Sequence, residues 1–195
     1  MGLKLTQSDL LSILDKLQKY SGFVWEELNP LDKILEIAPK YVGAPYSYRT
    51  SITYDAPRLF DCSAFTAFIY SEVGIAIPRM SIDQFFFGDP VEEEDIKPGD
   101  LIFAVSDSAK IYYESIEFLP GLKLSARGGS ASGGERGINH VGLYLGDGKV
   151  IHANGGTNNV AIESYRDSER FKNLCGFRRI VRENRDNRFV VTLPA

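Results

Sequence analysis

An α+β fold, with helices packed on one face of an antiparallel sheet, is the architecture this sequence predicts, and three observations predict it. Apolar residues recur at helical spacing only in the first 73 residues. Short apolar or alternating runs, the pattern of strands, occupy the part after Leu101. Turn signals at Lys97-Pro98-Gly99-Asp100 and Gly146-Asp147-Gly148 separate those runs by loops too short for a helix, so the strands meander antiparallel.

In chain order, residues 6–20 read as an amphipathic helix. Thr6 caps it, Asp9 follows three residues on, and Leu10, Ile13, Leu14 and Leu17 share a face; Ser21-Gly22 ends it. A second helix begins at Asn29, with Pro30 in the first helical position, and turns Ile34, Ile37, Ala38 and Tyr41 inward. Pro39 disturbs its end. Residues 43–60 are rich in Pro, Tyr and Ser without a period and read as an ordered loop. A third helix runs from Cys62 to Val73, capped by Asp61 and stopped by Gly74, with Phe65, Phe68, Ile69 and Val73 as its buried stripe. Strands follow at 101–105, about 138–145, 149–154 and 177–181, and the Gly/Ser-rich residues 125–137 read as a surface loop. The polar run from Arg182 to Arg188 leads to a short apolar tail. The chain thus divides into a helical extension (1–25), a main domain (26–182) and a tail (183–195).

Composition narrows the function. With 195 residues and 44% hydrophobic content the chain builds its own core, without disulfide or metal. A net charge of −4 argues against nucleic acid as partner and against electrostatic adhesion to anionic membranes. No run approaches the ~18 apolar residues of a membrane span. The first residues lack the apolar segment of a signal peptide, so the expectation is a protein that is cytoplasmic or released without a classical leader, unless a leader has been removed.

The chain holds only two cysteines and two histidines. Cys62 stands where a helix begins, and free N–H groups there stabilise a thiolate and would lower the thiol pKa; the same amides suit an oxyanion. The plain alternative is a buried structural cysteine. His140 and His152 lie on two arms of a hairpin whose apolar residues alternate with them. A two-residue turn at Asp147-Gly148 pairs Gly146 with Lys149 and puts the histidines on opposite faces. A three-residue loop, Gly146-Asp147-Gly148, pairs Leu145 with Lys149 and puts His152 opposite Gly142, with His140 diagonal on the same face. The second register also aligns Leu143 with Ile151 and is the one predicted. The set then reads as nucleophile Cys62 with one histidine, of His140 and His152, as base and the other orienting it. Zinc on one Cys and two His is the alternative, disfavoured because no fourth ligand has metal-like spacing. No cofactor is called for.

Asp61-Cys62-Ser63, Pro78-Arg79, Pro98-Gly99-Asp100-Leu101, His140-Val141-Gly142-Leu143-Tyr144-Leu145-Gly146 and Ile151-His152-Ala153, with Gly43-Ala44-Pro45-Tyr46 upstream, resemble in order and style the NlpC family of papain-like cell-wall cysteine peptidases. The resemblance covers roughly residues 30–181. It implies a papain-like core and cleavage of peptidoglycan stem peptides or muropeptide fragments, usually between γ-D-glutamate and a diamino acid. It implies Cys62, His140 and His152 as the catalytic residues, Tyr46 as a residue lining the site, and Asp61 and Ser63 as residues that help hold a free substrate amine. A plain helix cap is the competing role for Asp61.

Three departures border the cleft. Ala64 replaces a common glycine, Arg49-Thr50 replace a usual Gly-Gly, and the segment 106–137 is long; Tyr112, Tyr113 and Glu114 in it read as part of a solvated insertion in preference to a lid or extra wall. The acidic run from Val91 to Asp95 reads as solvated surface and Cys175 as structural. Two other readings stand: an amidase or acyltransferase on another γ-glutamyl or acyl substrate, and a non-enzymatic wall-binding or interaction protein on the same fold.

Overall fold

A computed structural model describes residues 6–21, 24–105, 116–119, 122–124, 137–182 and 188–192. Its elements open with α1 (Gln7–Ser21), β1 (Val24–Leu28), α2 (Pro30–Ile37) and α3 (Cys62–Ser71). Next come α4 (Ser81–Phe87), β2 (Asp89–Val91), β3 (Leu101–Ala104), β4 (Ile116–Leu119) and β5 (Leu122–Leu124). The chain closes with β6 (His140–Gly146), β7 (Lys149–Asn154), β8 (Asn159–Ser164), β9 (Leu174–Arg179) and β10 (Arg188–Thr192). Two compact units result, residues 1–30 with 183–195, and residues 31–182.

In the smaller unit, Thr6 and Asp9 cap α1 reciprocally: the Asp9 N–H donates to Thr6 Oγ1 (3.1 Å) and the Thr6 N–H to Asp9 Oδ2 (2.9 Å). Of the predicted apolar stripe Leu14 is buried, whereas Ile13 and Leu17 remain 40% and 44% exposed. Strand β1 pairs antiparallel with β10, Trp25 opposite Val191. Residues read as a terminal tail therefore include a strand, paired across the whole length of the chain.

The larger unit is the predicted α+β domain. Its sheet runs β2-β9-β3-β6-β7-β8, every neighbour antiparallel. Strand β3 is buried on both faces. Leu101 and Phe103 join a core with Ile34, Phe65, Phe68 and Ile69 of the helices, while Ile102 and Ala104 join Tyr144, Val150, Tyr165, Phe171 and Phe177 on the other face. Helix α2 has Pro30 in its first position and passes into a 3-10 turn, Ala38–Tyr41, that accommodates Pro39. Helix α3 is buried from Cys62 through Tyr70, so it reads as apolar all round rather than as a stripe. It ends at Ser71, two residues short of the expected Val73, and the turn that follows closes at Gly74, which at φ 75° lets the Ile75 N–H reach the Tyr70 carbonyl at 3.0 Å.

Helix α4 and strands β2 and β8 are absent from the sequence reading. Helix α4 packs Ile82 and Phe85 against the core and has a polar anchor as well. Gln84, fully buried, donates to the carbonyls of Ser63 (2.9 Å) and Pro78 (2.8 Å) and accepts from Thr66 Oγ1 (2.8 Å). The long segment after Val105 contains the hairpin β4–β5. Tyr112, Tyr113, Glu114 and the Gly/Ser-rich stretch through 136 lie outside the described residues.

The β6–β7 connection corrects one expectation. The turn is two residues, Asp147-Gly148, both left-handed (φ 50° and 72°), and Gly146 does pair with Lys149. Asp-Gly favours this turn because its twist matches that of the strands. Yet Tyr144 pairs with Val150 and Leu143 with Ile151, so Leu145 is an extra residue, a bulge next to Gly146 at φ 98°. The bulge restores the register the three-residue loop would have given. Gly142 lies opposite His152, and both histidines share a face.

Gly142 explains itself in this packing. A Cβ there would lie 2.5 Å from Val150 Cγ2, 2.9 Å from Phe171 Cζ and 3.1 Å from His152 Cβ. The Pro98-Gly99-Asp100-Leu101 motif is likewise structural. Asp100, 2% exposed, takes both Arg179 donors, Nε to Oδ1 at 2.9 Å and the terminal nitrogen to Oδ2 at 2.7 Å, while the Tyr70 hydroxyl donates to the Gly99 carbonyl at 2.6 Å.

Two stability outcomes follow. Asp100→Ala removes the buried carboxylate that takes two Arg179 donors and lowers the unfolding free energy by about 3 kcal/mol in urea titration; a loss under about 1 kcal/mol contradicts the pairing. Gly142→Ala costs about 1–3 kcal/mol by overpacking, and an unchanged midpoint contradicts the close approach.

Candidate active site

Asp61 precedes α3 in extended conformation and caps it, its Oδ1 accepting from the Ala64 N–H at 2.8 Å. The same carboxylate accepts from the Thr50 N–H (3.1 Å), from the Ser63 hydroxyl (3.3 Å) and from Arg79. Arg79 also donates to Ser63 Oγ (2.9 Å) and to the Thr50 carbonyl. Thr50 returns a bond, its Oγ1 accepting from the Asp61 N–H at 2.8 Å. Asp61 and Ser63 are thus buried and saturated by internal partners. Arg49 takes a left-handed φ of 61°, a conformation that glycine adopts without strain.

This cap fixes Cys62 in the first position of α3, 8% exposed. Its thiol donates to the carbonyl of Asn139, the residue before His140, at 3.6 Å. The start of β6 therefore meets the start of α3 at the two residues the sequence singles out. On β6 and β7 the imidazoles sit side by side, His140 Nε2 2.7 Å from His152 Nδ1. Phe171 closes over both, its ring centre 5.0 Å from each. On the next strand, Glu163 Oε2 lies 3.4 Å from His152 Nε2, and Glu163 Oε1 accepts from Asn154 Nδ2 at 2.8 Å. Asn154 Oδ1 in turn accepts from Arg170 Nε at 3.1 Å.

Tyr46 enters from the loop before the helix. Its N–H donates to the Asn158 carbonyl (2.9 Å), it bridges to Phe60, and its ring lies against Gly155, where a Cβ would come within 3.0 Å. Burial raises its hydroxyl pKa to about 12, with the nearby Cys62 and Asp61 adding to the rise.

Electrostatics correct the expectation of a lowered thiol pKa. Burial pushes Cys62 up to about 12, and the Asp61 carboxylate adds to that. The N–H groups of Val141 and Ser63 pull the other way without prevailing. A helix start lowers a thiol pKa when the site is open to water; this one is closed. Burial likewise holds His140 well below its ordinary value, helped by His152 and Arg170, and brings His152 to about 4 although Glu163 opposes the shift. At neutral pH the resting site therefore contains a thiol and two neutral imidazoles.

Sequence reasoning brings together Cys62, His140, His152, Asp61, Ser63 and Tyr46, and the structure groups all six around the start of α3 and the adjoining strands. Cys175 sits on β9 as a free, partly buried thiol. Among the described residues no group of three or more His, Cys, Asp or Glu is arranged to hold a metal, and no helix is long and apolar enough to cross a membrane. Phe171, Glu163 and Asn154 were missed. Glu163 lies on a strand with mixed burial, and nothing in the sequence around Phe171 marks it. Arg79 and Thr50 stand in the sequence only as motif and departure, and their role comes from the bonds to Asp61.

The NlpC/P60 family profile matches residues 43–125 and 130–179. The chain is 30% identical over 147 residues to "Probable endopeptidase p60" of Listeria monocytogenes, covering 75% of this chain and 23% of that protein. It is 30% identical over 142 residues to "Gamma-D-glutamyl-L-lysine dipeptidyl-peptidase" of Bacillus cereus, covering 70% of this chain and 34% of that protein. The chain thus spans about a quarter to a third of the length of these relatives. The solved structure of an NlpC/P60 family protein from Bacillus cereus superposes with a TM-score of 0.57 at 29% identity, covering 76% of this chain and 39% of that one. With its fold, its ordered motifs and this match over more than half its length, the chain belongs to the NlpC/P60 family, a papain-like cell-wall peptidase family.

Proposed function

We propose that the chain is a cysteine peptidase that hydrolyses peptidoglycan stem peptides at the bond between γ-D-glutamate and a diamino acid. Cys62 is its nucleophile, His140 its base and His152 the orienting residue. The observation that carries the reading is the 2.7 Å His140–His152 contact on a strand whose preceding carbonyl holds the Cys62 thiol. The name of the Bacillus cereus relative, a γ-D-glutamyl-L-lysine dipeptidyl-peptidase, supports the choice of bond.

The chemistry starts from neutral partners. With Nε2 of His140 engaged by His152, Nδ1 is the nitrogen left for the thiol. The thiol turns from the Asn139 carbonyl to that nitrogen as it attacks the substrate carbonyl. Proton transfer and C–S bond formation are coupled, as general-base catalysis requires when the thiol is not ionised beforehand. N–H groups at the start of α3 stabilise the developing oxyanion. The His140 imidazolium then protonates the leaving amine, and a water activated by His140 hydrolyses the thioester. Tyr46 lines the cleft. Asp61 and Ser63 act through the helix cap and Arg79, and a substrate amine reaching them competes with that guanidinium.

Two measurements test the proposal. Cys62→Ala and Cys62→Ser each lower turnover of defined muropeptides at least ~10³-fold, followed by mass spectrometry of the products, and unchanged turnover removes the nucleophile assignment. Transfer of the acyl group to an amine instead of water would place the chain among the acyltransferases. In the pH profile of kcat/KM, the base works only unprotonated, and its pKa is depressed below 6.5. Activity therefore holds where an ordinary histidine base would already be protonated, and falls only at lower pH. An acid limb centred at or above 6.5 contradicts the buried, neutral pair.

A further inference from the structure

The proton count of the histidine pair leaves one question, which a residue outside the triad answers. A neutral imidazole carries one proton, on one of two nitrogens. With His140 Nε2 and His152 Nδ1 2.7 Å apart, exactly one of those two nitrogens holds a proton. If it is on His152, then His140 carries its own proton on Nδ1 and has no lone pair for a thiol. If it is on His140 Nε2, then His140 Nδ1 is a free base and His152 carries its proton on Nε2. Only the second arrangement performs the proposed chemistry, and the two imidazoles alone do not choose it.

Glu163 does. His152 Nε2 is fully buried with no aligned hydrogen bond among the described residues, and Glu163 Oε2 lies 3.4 Å from it. The register makes this contact systematic. Ala161 pairs with His152 and Val150 with Glu163, so Glu163 is the diagonal neighbour of His152 on the same sheet face. Its side chain, 26% exposed, has room to close the remaining gap. Asn154, also on that face, holds Oε1 at 2.8 Å and is itself held by Arg170 Nε and by the Gly156 N–H (2.8 Å). Burial opposes the charge on Glu163, but the hydrogen bond from Ser168, with that from Asn154, favours it, and the carboxyl sits below its ordinary range. An ionised carboxylate accepts and cannot donate. Facing it, His152 gains by presenting N–H and loses by presenting a lone pair.

We propose that Glu163 is a positioning residue, which, through His152, sets the tautomers of both histidines so that Nδ1 of His140 is left as the proton acceptor. The order is Glu163 carboxylate, His152 Nε2–H, His152 Nδ1, His140 Nε2–H, His140 Nδ1, Cys62 thiol. When the thiol proton moves to His140 Nδ1, the S–H bond breaks and an N–H bond forms. The imidazolium is then stabilised through His152 by the same carboxylate, while no proton leaves the chain of bonds. The role extends the peptidase reading and rests on it for the effect on rate, but not for the tautomers themselves.

Nitrogen-15 NMR of the histidine rings reads the tautomers directly on the whole chain. The wild type shows both His140 and His152 protonated on Nε2 at pH 7. Glu163→Gln and Glu163→Leu populate the opposite tautomers, and Glu163→Asp restores the original pattern in part. With muropeptides, Glu163→Gln lowers kcat roughly 10–100-fold with little change in KM, the size of a general-base contribution partly lost. Nδ1 protonation in the wild type, or tautomers that do not respond to any of the three substitutions, overturns the proposal. If the tautomers respond and the wild type cleaves no muropeptide, Glu163 keeps its role and the substrate assignment fails instead.

Discussion

One extra residue in a strand is the constraint on which the site depends. Strand β6 carries Leu145 as a bulge between the Gly146–Lys149 and Tyr144–Val150 pairs. Side chains alternate with a period of two, so without that bulge His152 would move to the helix-packed face with Leu143, and His140 would face the other side alone. With it, both imidazoles lie on one face with Gly142 between them. Gly142 has no side chain and so admits Phe171 over the pair. The turn chemistry of Asp147-Gly148 and the positive φ of Gly146 make the bulge affordable. Packing sets the register, and the register sets the chemistry.

The second organising feature is dryness. The helix cap, the histidine pair and the thiol are each buried, and burial sets the direction of the Cys62, His140 and His152 shifts. Low dielectric also strengthens the polar network around them: Asp61 with Thr50 and Arg79 on one side, Glu163 with Asn154 and Arg170 on the other. The two carboxylates have different geometry. Asp61 is saturated and faces the helix, whereas Glu163 keeps one oxygen toward a buried imidazole nitrogen. The first holds Cys62 at the helix start, and the second lies against His152.

Much of this was legible in the sequence where one residue type has one good use. Asp61 before an apolar helix, Pro30 at a helix start, Gly74 at a helix end and the alternation through Val141, Leu143, Ile151 and Ala153 each follow from local backbone chemistry. The hairpin face was read correctly by a partly wrong route, because the hydrophobic pattern constrains register more than it constrains loop length. What was not legible depends on distant partners. Helix α4 is anchored through Gln84 to Ser63 and Pro78, strand β10 pairs with β1 from the far end of the chain, and Glu163 gains meaning only when β8 lies beside β7. The thiol pKa was misjudged for the same reason: a helix start is a local signal, and the burial that overrides it is not.

The nucleophile claim meets its most direct test in intact-protein mass spectrometry after rapid acid quench of the wild type mixed with a γ-D-glutamyl stem peptide. The result predicted is a transient adduct with the mass of the γ-glutamyl fragment, mapped by peptide digestion to Cys62. Turnover of the peptide with no thioester at any time point, or an adduct on Cys175 instead, would contradict it.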